Sequence, residues 1–160
     1  MELITTHPTL VHAASRTLTL PDVAAFRDTT IPDLVNDAES WGLVATGPWT
    51  FVSSQLPQDN ETTFDLIICR PIAAGGDYGG EFQIIELPAI TAGVAHFEGP
   101  LAGIYAAAYA PLLDALLTSE KPLSGEVREI YHVLAAPDSP DNKVEILIGV
   151  ATEDEAATDA

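Results

Sequence analysis

Hydrophobic and polar residues alternate along several short stretches of this chain. That is the period of a strand with one buried face. The pattern predicts strands over residues 9–19, 47–54, 63–72, 83–97, 126–134 and 143–151, which are rich in Val, Ile, Thr, Phe and Tyr. Two stretches change to helical spacing. Leu34, Val35, Ala38 and Trp41 follow Pro32, which suits an early helical position, and Gly42 can end the helix. Ile104, Ala108, Leu112, Ala115 and Leu116 form the second stripe. Pro111 lies inside it and is expected to kink that helix or split it in two. PQDNE (57–61) and APDSPDN (136–142) read as turns between the closing strands.

The two patterns repeat each other. Pro21 and Pro32 lie over Pro100 and Pro111 at an offset of 79 residues, Gly47 over Gly125 at 78, and FDLII (64–68) over VEILI (144–148) at 80. The paired prolines suggest that both helices share the same break. Each half then reads strand–helix–strand–strand, with pseudo-repeats at about 7–72 and 82–151, and GGDYGG within 73–81 as a flexible connector. The fold class expected is α+β within a single domain over 1–160. Its mostly antiparallel curved sheet would carry helices on one face and a central cleft between the halves.

Glu129 interrupts the apolar face of EVREIYHVL, where Val127, Tyr131 and Val133 are its neighbours. Counted from the matched glycines, Val127 lies over Trp49, Glu129 over Phe51 and Tyr131 over Ser53. One half therefore offers aromatic residues where the other offers a carboxylate and a phenol. If both strands faced a cleft, that pairing would suit an amphipathic cation. The plainer alternative makes Glu129 a solvent-facing residue at a strand edge. Tyr105 and Tyr109, four apart on one helix face, belong either to the core or to the cleft lining. Trp41 completes the helical stripe and is expected in the core.

Charge narrows the choice of partners. Twenty-four acidic residues oppose six basic ones, a net charge of −18. Such a surface repels phosphate backbones, so direct nucleic-acid binding is not expected. A basic protein partner remains open, as does a surface that is simply well solvated. Part of the charge belongs to the tail 152–160, expected to be disordered. The single Cys69 excludes an intramolecular disulfide framework and a cysteine-based zinc site, and it reads as a core thiol in a reduced, cytoplasmic setting. His7, His12, His96 and His132 lack the spacing of metal ligands; for His96, ahead of a Gly-Pro turn, a structural hydrogen bond is the default. No cofactor is implied. GGDYGG lacks the Lys-Ser/Thr of a phosphate loop. No stretch is apolar for long enough to span a bilayer, and the N-terminus does not have the form of a secretory signal.

Several motifs in fixed order resemble the GyrI-like small-molecule-binding domain of bacterial multidrug-responsive regulators, in its stand-alone form. They are LPA (87–89), HFEGP (96–100), the Glu-x-Tyr of EIY (129–131), the APD turn and VEILIGV (144–150). The second half carries the resemblance more clearly than the first. It implies a duplicated strand–helix–strand–strand fold with a central pocket, in which Glu129 would anchor a hydrophobic, cationic ligand beside Tyr131. Trp49, Phe51, Tyr105 and Tyr109 are the further ligand-binding candidates from the residue reading. The resemblance also implies two alternatives: a hydrolase of cyclopropane-type toxins using Glu129, or an acidic interaction protein resembling gyrase inhibitors. Nothing basic precedes residue 7, so a helix-turn-helix is not expected within this chain.

Overall fold

A computed structural model describes residues 1–55, 57 and 59–151. The expected disordered tail at 152–160 lies outside them. In chain order the elements are β1 (Glu2–Thr5), β2 (Thr9–Leu18), α1 (Val23–Trp41), β3 (Trp49–Ser53), β4 (Phe64–Pro71), β5 (Gln83–Leu87), β6 (Thr91–Glu98), α2 (Ala110–Thr118), β7 (Leu123–Val133) and β8 (Lys143–Val150). A short 3-10 turn precedes each helical region, and a π-helical turn over Tyr105–Tyr109 leads into α2. The class is α+β with antiparallel strand pairing, as the period-2 stretches predict. Among the described residues no helix is long and apolar enough to cross a membrane.

The chain forms two compact units. Residues 1–7 and 89 onward make the first; residues 8–88 make the second. In the first unit the strand order is β1-β6-β8-β7. In the second it is β3-β4-β2-β5. Each unit contains the strand–helix–strand–strand core of the repeat with one further edge strand. Those edge strands correct the sequence reading. Residues 83–97 do not form one strand, because Pro88 has no N–H for the ladder. Gln83–Leu87 pairs instead with β2 in the second unit, and β1, which the alternation did not reveal, pairs with β6. The expected connector 73–81 lies within the second unit.

Strand register also refines the duplication. Phe51 stands opposite Ile68, and Glu129 opposite Ile146. Both strands are thus offset by 78 residues, and the alignment of VEILI at 80 is slid by two. A slip of two keeps every side chain on its own face, so the equivalence of Phe51 and Glu129 is unaffected.

In the second unit α1 buries Phe26, Thr30, Leu34 and Ala38, one stripe at four-residue spacing. It begins nine residues ahead of Pro32, so Pro32 is interior rather than early. The missing N–H concerns the Asp28 carbonyl, and both residues lie on the exposed side, where water can serve that carbonyl. The buried stripe on the opposite side holds the helix through the proline. Gly42 ends α1 in the left-handed region at φ 68°, its N–H meeting the Ala38 and Glu39 carbonyls. Trp41 departs from expectation: it is 44% exposed and lies edge-on to Tyr78, ring centroids 5.5 Å apart. The other sheet face carries a cluster of Val11, Ala13, Val52, Cys69 and Leu87. Cys69 is the buried thiol the apolar run implied, donating to the Thr50 carbonyl at 3.3 Å.

In the first unit α2 packs on the face that carries Val127, Glu129 and Tyr131. Register places Gly93 opposite Ile148, which pairs with Val127. A Cβ on Gly93 would stand 3.1 Å from both Leu112 and Leu116, so the glycine lets helix and sheet approach. Pro111 occupies the first turn of α2, directly after the π-helical turn, so this helical region is divided as the proline predicts. The shared break does not hold, because α1 is continuous.

Candidate functional site

Glu129 sits midway along β7, half-buried and paired across the ladder with Ile146. Two tyrosines meet its carboxylate. The Tyr131 hydroxyl donates to Oε1 at 2.7 Å from two residues along the same strand. The Tyr109 hydroxyl donates to Oε2 from the π-helical turn. Each oxygen therefore holds one phenol, and both phenols are buried. These hydrogen bonds offset much of the cost of removing the carboxylate from water. Burial, followed by the Glu129 charge and the hydrogen bond to it, pushes the Tyr109 phenol far above its ordinary range. Among the described residues, no cationic side chain forms an ion pair with Glu129.

Tyr105 stacks on Tyr109 with ring centroids 6.3 Å apart and planes 13° from parallel. Tyr109 is 6% exposed and Tyr105 61%, so the pair runs from surface to carboxylate. Val133 leaves the face of Glu129, because a register shift between Tyr131 and Val133 interrupts the alternation, and it is exposed. Four of the six ligand candidates thus come together in the first unit: Glu129, Tyr131, Tyr109 and Tyr105. Trp49 and Phe51 lie in the second unit on β3. Phe51 is buried, and Trp49 is half-buried with the Arg70 guanidinium 4.6 Å from its ring centroid. The aromatic face of Trp49 thus already has a cation against it.

Arg70 is one of several cations used internally. Arg16 covers Phe26 at 4.7 Å, Arg27 pairs with Asp28, and the buried Arg128 bonds Glu126 through Nε and a terminal nitrogen, both at 2.8 Å. Little positive charge is left to balance the acidic surface. His96, for which a structural hydrogen bond was the default, is exposed on β6. No group of three or more His, Cys, Asp and Glu among the described residues is placed to hold a metal.

A second polar cluster escaped the sequence reading. His12, buried on β2, places Nε2 2.8 Å from Asp37 Oδ2 on α1. The Tyr78 hydroxyl donates to the same oxygen at 2.5 Å and accepts the Phe82 N–H at 3.0 Å. The network ties the glycine-rich segment to helix and sheet. The available signal was parity, since His12 shares a strand face with Ala14 and Leu18. Burial and the hydrogen bond to Asp37 push the Tyr78 phenol up to about 12. An unfolded tyrosine loses its proton near pH 10. The folded surroundings, burial first and the Asp37 bond second, therefore favour the neutral phenol, and the stability tied to that form is fully present below that pH and is lost as pH rises through about 12. Tyr78→Phe should be less stable than wild type at pH 8, and the gap measured by urea denaturation should narrow above pH 11. A gap that stays constant would remove Tyr78 ionisation as its source.

No family model and no curated protein matches the chain by sequence. Solved structures do match over nearly its whole length. The EcmrR C-terminal domain superposes with a TM-score of 0.77 at 21% identity, covering 94% of this chain and 96% of that one. SAV2435 bound to tetraphenylphosphonium gives 0.67 at 13% identity, covering 94% and 93%. A hydrolase encoded by lin2189 from Listeria innocua gives 0.63 at 10%, covering 94% and 91%. At these identities the likeness is one of fold, and that fold agrees with the GyrI-like one that the sequence motifs implied.

Proposed function

We propose that this protein is a small-molecule-binding domain that holds a hydrophobic cation against Glu129. The observation that carries this reading is the carboxylate itself: half-buried, bonded through each oxygen by a neutral phenol, and matched with no protein cation among the described residues. The phenols orient and solvate the charge but do not cancel it. A ligand with delocalised positive charge and no N–H groups can then be attracted without supplying hydrogen bonds. The stacked Tyr105 and Tyr109 rings add aromatic surface that favours cations. The acidic surface raises the local concentration of such ligands. SAV2435, which shares the fold, is bound to a lipophilic cation of this kind.

The test is a thermal-shift comparison of tetraphenylphosphonium, a neutral triaryl compound and an anionic tetraphenylborate. Binding to the folded state raises the melting temperature by mass action. The cation should give the largest shift, the neutral compound a smaller one and the anion the least. Equal shifts with all three, or none with any, would overturn the reading.

A second reading makes the same carboxylate catalytic. Tyr109 and Glu129 share a proton-donating contact, and a hydrolase shares the fold. Hydrolysis of a strained ring would use Glu129 to take a proton from water as the water oxygen bonds a ring carbon, the strained ring bond breaks, and the carbon it releases takes that proton back. Multiple turnovers by wild type, absent in Glu129→Gln, would favour this reading over simple binding.

A further inference from the structure

We propose that Pro111 is a positioning residue of the Glu129 site: by withholding the N–H that would keep residues 107–111 in ordinary helical register, it permits the wide turn that puts Tyr109, rather than Tyr105, against the carboxylate. Its consequence for ligand binding rests on the reading of Glu129 as the anchor; its consequence for Tyr109 does not.

Helical periodicity exposes the anomaly. The buried stripe of this region is Ala108, Leu112 and Leu116. At about 100° per residue, Tyr105 would lie within about 20° of the centre of that stripe and Tyr109 about 60° away. The structure has the reverse burial: Tyr109 is 6% exposed and Tyr105 61%. The difference arises over Tyr105–Tyr109, which is π-helical, with the Ala110 N–H bonded to the Tyr105 carbonyl. Such turns hold one extra residue and rotate the preceding turn of helix relative to the next one.

Pro111 explains why the wide turn can compete. In ordinary register residue 111 would bond the Ala107 carbonyl, but proline has no N–H and its ring crowds that oxygen. The ordinary turn thus loses its advantage here, and Pro111 falls in the first turn of α2, where no N–H is needed. Pro32 shows that a proline is not sufficient, since α1 passes through it in ordinary register. What selects the wide turn in the first unit is a second contact, the Tyr109 hydroxyl on Glu129. Proline and carboxylate act together. The first removes the competing bond and the second rewards the rotation.

Pro111→Ala restores the N–H and should return the turn to ordinary register. The phenol of Tyr109, now facing Glu129, Tyr131 and Tyr105, would leave the carboxylate. Phenolate absorbance near pH 10–11 should then rise above that of wild type, and this gain should vanish in the Pro111→Ala/Tyr109→Phe double variant. Tetraphenylphosphonium affinity should fall several-fold in Pro111→Ala, with no further fall when the same change is made in a Tyr109→Phe background. Pro111→Ser, which also restores the N–H, serves should the alanine variant not fold. A titration identical to wild type would overturn the proposal, even where Glu129→Gln still abolishes binding. If wild type binds no phosphonium, the anchor reading fails, and the phenolate titration still decides the role of Pro111.

Discussion

Glu129→Gln should weaken binding of a lipophilic phosphonium by roughly ten- to a hundredfold, corresponding to about 1.5–3 kcal/mol for a charge-assisted contact. The substitution preserves size and strand geometry. The amide oxygen still accepts one phenol, and the amide nitrogen can donate to the other, so the hydrogen-bonded frame of Tyr109 and Tyr131 can reverse one bond rather than lose it. Only the net charge disappears. A neutral triaryl compound should therefore bind wild type and variant alike, which separates loss of charge from loss of the aromatic surface beside it. Isothermal titration calorimetry on both proteins reads the effect directly. Unchanged phosphonium affinity would remove Glu129 from the role of anchor.

Asn142→Ala should cost about 1–3 kcal/mol of stability, because it removes three hydrogen bonds to partly buried backbone groups of the loop. Asn142 is fully buried at the end of the APDSPDN turn. Its Oδ1 accepts the Ala135 N–H at 2.8 Å, and its Nδ2 donates to the Ala136 carbonyl at 2.8 Å and the Ser139 carbonyl at 3.2 Å. One side chain thus satisfies three backbone groups across the loop. Its own carbonyl accepts the Gly99 N–H at 3.0 Å, beside the start of the helical region. Exposed Asp141 is the control, and its alanine variant should stay within about 0.5 kcal/mol of wild type. Chemical denaturation measures both. Equal effects at 141 and 142 would mean that the loop does not depend on this side chain.

Much of the first unit's site was legible because strands announce their faces. EVREIYHVL alternates so clearly that Glu129 had to share a face with Val127 and Tyr131, and the register agrees. The match of Glu129 to Phe51 followed from two glycines 78 residues apart and survives in the strand pairing. Tyr109 was a candidate, but its bond to Glu129 was not visible. Helical spacing gives Tyr105 the better claim to the interior, and only the wide turn reverses the two. Trp41 failed for a related reason. Its spacing fits the stripe of α1, yet it is the last residue of the helix and reaches solvent beside Tyr78. His12 and Asp37 are 25 residues apart in sequence and Tyr78 a further 41, so no local pattern could join them.

By itself the sequence determined the class, the duplication, the core strands and the face on which Glu129 lies. The class, the strands and that face depend on residues within one or two turns or pleats of each other, where periodicity carries the information, and the duplication is the recurrence of those local patterns at a nearly fixed offset. The tertiary structure alone decided the edge strands, the helix register and the partners of each buried polar group. β1 pairs with a strand some 90 residues away, β5 ends before Pro88 and returns to β2, and a phenol off the helical stripe meets a carboxylate. Those choices depend on which distant groups need a hydrogen bond, and that need exists only once the chain has folded.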